Sequence, residues 1–279
     1  MKIQAGIRNW DDFYYFTENG AEEVYCAIAG IPSHCYRGKD FETEGEIIKA
    51  VNLAHKKNID FFLVANEVQS EYFEKTLETV KNLIAEGIDG VILRDMGALE
   101  EFKKMGIRTD YILTSLSLCF NEKSLEFYKK KGITRLALPE QLLPEEAEKI
   151  VRNNLGIKTE VFLCAREYCV VLNGFCYLTA FNGECICEKP FKCGGEYFFM
   201  PKPSDEEHFS NLYDFYKLGV EVLKVGRHPE ASYSRAVFSE AVAVKKLLDA
   251  GLPKGKFIKK ALEIHSKVGG ILKKCPKKK

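Results

Sequence analysis

The sequence has no run of about 18 apolar residues, so no membrane-spanning helix is expected. Its start, MKIQAGIRNWDDFYYF, lacks a basic region followed by an apolar stretch, so a secretory signal is not expected either. Charge of one sign is also missing: 41 basic against 40 acidic residues leave a formal +1, so no global field points to nucleic acid or a membrane. No G-x-G-x-x-G follows the first apolar run, which argues against a dinucleotide-binding fold. There is no H-E-x-x-H and no G-x-S-x-G, and no C-x-x-C to serve as a redox dithiol. Low-complexity segments and internal repeats beyond a strand–helix unit are absent. With 46% hydrophobic residues in 279, the chain can bury a sizeable core.

What is present is an unusual density of cysteine. Cys164 to Cys193 reads CAREYCVVLNGFCYLTAFNGECICEKPFKC and holds six of the ten cysteines. The spacings are C-x4-C, C-x6-C, C-x8-C, C-x-C and C-x5-C. In a reducing cytoplasm, the expected location, clustered thiols serve more often as ligands than as disulfides. Thiolate sets suit an iron–sulfur cluster or zinc, and zinc sites usually show paired C-x2-C knuckles that are absent here. A cluster is therefore the first expectation and zinc the alternative.

Short apolar runs alternate with amphipathic stretches along the whole chain. Strands are expected at Lys2–Ala5, Val24–Ala27, Phe61–Ala65, Gly90–Leu93, Asp110–Thr114, Arg135–Leu138, Thr159–Leu163 and Val222–Val225. Helices lie between them and end on Gly20, Gly87, Gly106, Gly132, Gly219 and Gly251. The repeated helix–Gly–strand pattern is that of parallel β/α units. Eight such units predict an α/β fold of the (β/α)₈ TIM-like barrel class, with a Cys-rich insertion after strand seven. A single barrel domain is expected over 1–253 (insertion about 164–205), then a basic tail over 254–279 that either contacts phosphates or is a solvated, partly disordered end.

A barrel fixes where chemistry belongs, because active sites form on the face reached by the strands' C-terminal ends. Cys35, Cys119 and Cys164 each follow a strand and could converge there, whereas Cys26 lies inside a strand. Asn66 ends the third strand, Asp95 the fourth, and Glu140 follows the sixth, so these are the candidate catalytic groups. Asp95 reads equally well as a helix N-cap. Lys224 and Arg227 end the eighth strand near the usual anion position of barrels, with a salt bridge as their plainer role. Ser115 lies behind the fifth strand as a further candidate for substrate contact.

Five collinear segments resemble one family. They are GAEEVYCAIAG (Gly20–Gly30), GIDGVILRDMGAL (Gly87–Leu99), TSLSLCFNEKSLEFYKKKGITRLALPEQL (Thr114–Leu142), EVFLCAREYCVVLNGFCYLTAF (Glu160–Phe181) and GVEVLKVGRHPEASY (Gly219–Tyr233). Together they are similar to the collagenase-like peptidase superfamily, unassigned peptidase family thirty-two. Some members carry a 4Fe-4S cluster on four cysteines and take part in oxygen-independent hydroxylation of ubiquinone precursors or RNA bases. The resemblance implies Cys169, Cys176, Cys185 and Cys193 as metal ligands, with Cys187 and Cys35 as alternatives. It also implies a small-molecule or RNA substrate, a redox enzyme or hydroxylase component, and a paired family member or electron donor as partner. A hydrolase, in keeping with the family name, and a non-catalytic accessory subunit are the alternative functions. Ala165-Arg166 replaces the family's His-Gly, and Lys224-Val225-Gly226-Arg227 lacks its Glu.

Overall fold

The structure is a computed structural model that describes residues 1–33, 40–67, 70–163, 190–199, 202–228 and 230–274. Eight parallel strands close into a barrel: β1 (Lys2–Gly6), β2 (Glu23–Cys26), β3 (Asp60–Ala65), β4 (Gly90–Leu93), β5 (Asp110–Leu113), β6 (Arg135–Ala137), β7 (Lys158–Phe162) and, eighth in the barrel, β10 (Val222–Val225). The remaining two strands, β8 (Phe191–Cys193) and β9 (Glu196–Phe198), form a separate antiparallel hairpin. The expected eight barrel strands are all present, each within a residue or so of the ranges read from the sequence.

Helices cross back between the barrel strands: α1 (Trp10–Glu18), α2 (Glu44–His55), α3 (Phe73–Ala85), α4 (Met96–Lys104), α5 (Glu122–Lys131), α6 (Pro144–Val151), α7 (Asp205–Leu218) and α8 (Ala231–Asp249). Their starts are set by local polar residues. Thr43 with Glu46, and Ser204 with Glu207, form reciprocal capping boxes, and Asn9 and Asn121 each accept from a first-turn amide. At the other end, Gly132 (φ 97°) and Gly219 (φ 104°) adopt the left-handed conformation that stops a helix without a Cβ clash.

Residue alternation divides the barrel into two buried faces. Outward residues such as Ile3, Val24, Leu63, Val91, Leu113, Leu136 and Leu223 join one large core with the helices. Inward residues Tyr25, Ala27, Phe62, Val64, Ile92 and Ile112 form a second, smaller cluster inside the barrel. Parallel strands covered on both faces read as near-continuous apolar runs, which is why their positions were legible.

The segment after residue 253 differs from the expected solvated tail. Lys254–Lys274 forms a ninth described helix, α9, which packs on α8 and α7. Phe257 and Ala261 are fully buried and Val268 nearly so, a helical apolar stripe hidden among lysines in the sequence. Tyr213 Oη donates to the Leu252 carbonyl at 3.0 Å, His265 Nδ1 meets Glu240 Oε1 at 2.6 Å, and Lys254 pairs with Asp214. These contacts fasten the helix to the barrel body.

Candidate functional site

The barrel interior contains a charged quartet. Arg135 on β6 donates to Glu23 on β2 through two nitrogens, at 2.5 and 3.1 Å. It also lies 3.6 Å from Glu160 on β7, which accepts from Lys224 Nζ on β10 at 2.6 Å. Gln4 on β1 pairs in register with both Glu23 and Lys224, and its amide donates to Glu23 at 3.0 Å. Two carboxylates and two buried cations thus offset each other in a space lined by Phe62 and Tyr25, and the half-exposed Lys2 ammonium also reaches Glu23 at 3.3 Å. Burial disfavours the Arg135 charge, but Glu23 and Glu160 outweigh it and hold the guanidinium above its ordinary pKa. For Lys224 burial wins: it pulls the ammonium below its ordinary value, with Glu160 acting against it. The ammonium also stands 4.6 Å from the Tyr25 ring centre.

Lys224 therefore points into the barrel and is engaged by a strand carboxylate rather than presented at the mouth. Arg227, three residues on, does reach the mouth, where it donates to Asp40 Oδ1 at 2.6 Å and to Ser33 Oγ at 3.2 Å. The loop after β2 brings Asp40 there because Ile28 and Phe41 form a parallel bridge. The plainer role expected for Arg227, an ion pair with a loop carboxylate, is the one observed. Gly6 makes this packing possible: a Cβ there would come within 2.4 Å of Arg227 Cγ and 2.7 Å of the Tyr25 ring. Tyr25 in turn donates to the Val225 carbonyl at 3.1 Å, tying β2 to β10 across the barrel seam.

Other candidates surround the same rim. Asn66 and its neighbour Glu67 are buried at the end of β3, and Arg94 donates to Glu67 at 2.9 Å. Burial raises the Glu67 carboxyl above its usual range, with Arg94 opposing. Asp95 caps α4, its Oδ1 accepting from the Ala98 amide at 2.8 Å. Ser115 is buried in a short 3₁₀ turn behind β5. Glu140 instead faces a lateral cleft of about 580 Å³ between the loop after β6 and α7, where Gln141, Phe162, His208 and Asn211 are further lining residues. Outward-facing Leu138 and Val161 also line that cleft, so it lies beside the barrel axis rather than over it.

The cysteines divide by environment. Cys26 faces outward into the core. Cys119, expected as a possible member of the mouth, is fully buried, and burial pushes its thiol pKa up to about 11. It belongs to packing. Cys193 is exposed and free, at the end of β8 beside the Gly194-Gly195 turn, where both glycines have positive φ as a tight hairpin turn demands. Cys35, Cys164, Cys169, Cys176, Cys185 and Cys187 lie outside the described residues, and so does the rest of 164–189, where the insertion was expected. Among the described residues no group of three or more His, Cys, Asp or Glu side chains is arranged to hold a metal ion, and no helix is long and apolar enough to cross a membrane.

Sequence reasoning passed over Glu23 and Arg135 as functional groups and left Glu160 inside a motif. Their signal was a charge at an inward position of a strand otherwise apolar on both faces, since such a charge needs a partner within the barrel. Arg8, buried in the loop after β1, binds Asp12 through Nε at 2.5 Å and Nη2 at 2.8 Å and was also missed.

Comparison with known proteins places the chain in a family. Residues 8–267 match the model of "Peptidase family U32". The chain is 27% identical over 168 residues to tRNA hydroxylation protein P of Escherichia coli K12, covering 58% of this chain and 35% of that protein. It is 23% identical over 251 residues to the 23S rRNA 5-hydroxycytidine C2501 synthase of the same organism, covering 83% and 37%. The chain thus spans about a third of the length of these curated relatives. Among solved structures, U32 peptidase Mk0906 superposes with a TM-score of 0.52 at 10% identity, covering 82% of this chain and 93% of that one. A monomeric dihydrodipicolinate synthase variant gives 0.55 at 10%, covering 98% and 80%, a likeness of barrel fold alone. The chain belongs to peptidase family U32.

Proposed function

We propose that this chain works in the oxygen-independent hydroxylation of an RNA base, with a 4Fe-4S cluster held over the barrel mouth. The observation that carries the reading is the similarity to two relatives named for hydroxylation of tRNA and of 23S rRNA, one of which covers 83% of this chain. The hydrolase alternative rests on the family name, and the barrel offers it no nucleophile–base pair among the groups described above.

The donor set suits the cluster. Cys193 is exposed and free, and Cys169, Cys176 and Cys185 follow β7 in sequence. Cys187 and Cys35 are the alternative ligands. A bound cluster supplies one-electron transfer or a Lewis-acidic iron. The protein's own part is to shape the mouth. Arg227, fixed by Asp40 and Ser33, and Arg94, paired to Glu67, hold guanidinium groups in set positions on the rim, each balanced by its carboxylate. Asp95 and Asn66 stand at strand ends within the same rim, where a base edge could be hydrogen-bonded. A paired family member or an electron donor would complete the reaction.

The test is mass spectrometry of nucleosides from tRNA and rRNA of the native host, with and without the gene, grown without oxygen. Loss of one nucleoside bearing an added oxygen, restored by the wild-type gene, is the expected result. An unchanged nucleoside profile together with a new peptide-cleavage activity of the pure protein would overturn it.

A further inference from the structure

The near-neutral total charge conceals a strong asymmetry. Of the 41 basic and 40 acidic residues, ten lysines and one acid, Glu263, fall in 254–279, leaving 31 basic and 39 acidic residues in the first 253. The body is thus net negative and the C-terminal segment strongly positive. The structure turns that segment into a surface. On α9, Phe257, Ala261 and Val268 face the body, so the opposite side faces solvent. Lys256, Lys259, Lys260 and Lys267 are all exposed on that side. At 3.6 residues per turn they fall within about a third of the helix circumference, with Glu263 the single acid among them. None of the four makes an ion pair among the described residues.

Four ammonium groups on one face, with one glutamate among them, hold condensed counterions that a polyanion would release on binding. We propose that the exposed face of α9 binds the phosphate backbone of the RNA substrate, an inference that rests on the RNA-hydroxylation reading. Lys256 to Lys267 spans roughly 16 Å at 1.5 Å per residue. A duplex strand carries a phosphate every ~3.4 Å of axis, so the stripe can meet several at once. Lysine suits this task because it acts as a point charge without reading base sequence. The helix is anchored to the body through His265–Glu240 and Lys254–Asp214, so an RNA held on it would be fixed relative to the barrel.

The test is fluorescence anisotropy of the full chain with labelled bulk tRNA across a salt series. The fourfold variant Lys256→Gln, Lys259→Gln, Lys260→Gln, Lys267→Gln is compared with a control set, Lys56→Gln, Lys81→Gln, Lys129→Gln, Lys130→Gln, exposed elsewhere on the surface. The α9 variant should weaken binding on the order of 100-fold at 0.1 M salt and reduce the slope of log affinity against log salt by about 3. The control should change both little, and the fourfold Lys→Arg variant of α9 should bind like wild type, which separates charge from folding. Equal losses in the α9 and control sets, or none in either, would overturn the assignment of α9 while leaving the hydroxylation reading intact. A wild-type protein that binds no tRNA but binds vesicles rich in phosphatidylserine through these lysines would overturn it in favour of a lipid surface. Wild-type protein that binds neither would remove the RNA reading itself.

Discussion

Replacing Glu160 by Gln should expose what the barrel's interior charges do. Glu160 is fully buried and accepts from Lys224 at 2.6 Å, while Arg135 is committed to Glu23 through two bonds, at 2.5 and 3.1 Å. The amide keeps the shape and an acceptor oxygen but leaves one net positive charge inside the barrel. Removing one partner of a buried pair costs about 3–5 kcal/mol. The retained acceptor puts the expected loss near the lower end, about 3 kcal/mol. The pH dependence gives a second handle. Burial already holds Lys224 below 10.5, and without Glu160 its pKa falls further. The unfolded chain then binds a proton that the folded chain lacks, up to the unfolded value, so stability of the variant rises with pH in that window. Its deficit against wild type should shrink as pH climbs from neutral towards 10. Urea unfolding followed by the single tryptophan, Trp10, supplies the measurement. Lys224→Met in the same background should recover most of the loss, a coupling of about 2 kcal/mol or more. Additive single losses, or a deficit that does not change with pH, would refute the neutral-quartet account.

Three further outcomes follow from other parts of the molecule. His208 is buried beside Glu240 and His265, and burial lowers its pKa from 6.5 to about 4; the unfolded chain therefore binds the extra proton between these values, and stability should fall by about 3 kcal/mol as pH drops through them. Urea midpoints from pH 7 to 4 should show that loss, and His208→Leu should flatten it. Gly6→Ala should displace Arg227 or Tyr25 and cost about 1–3 kcal/mol, measured by thermal unfolding, since the added methyl has no free space. Asp95→Ala should cost about 1 kcal/mol through the lost α4 cap, whereas Asp95→Asn keeps the cap. If Asp95→Asn retains stability but loses hydroxylated nucleoside in the complemented host, the carboxylate has a role beyond capping; unchanged nucleoside yield confines it to the cap.

The sequence made the barrel readable because each strand is a short, largely apolar run and most of the helices stop at a glycine. It also placed Asn66, Asp95, Ser115 and Arg227 at strand ends, which is where they stand. What it could not convey were pairings set by closure. Glu23 and Arg135 lie 112 positions apart and meet because both point inward at neighbouring levels of a closed sheet. The same closure turned Lys224, two residues before the mouth glycine Gly226, into an interior partner of Glu160. α9 was hidden because its apolar stripe of Phe257, Ala261 and Val268 is thin and its lysines dominate the local composition. Most cysteines of the insertion stand outside the described residues, so their roles remain those implied by the resemblance to the family.

The cluster is the central claim, and its metal content tests it most directly. Protein purified without oxygen should contain four irons and four acid-labile sulfides per chain, to the order set by a single Cys₄ cluster, and absorb in the visible. Cys193→Ala and Cys169→Ala should each lower iron sharply, while Cys35→Ala should spare it unless Cys35 replaces Cys169 as ligand. A colourless wild-type protein that carries only zinc, or iron content unmoved by every one of these substitutions, would contradict the account.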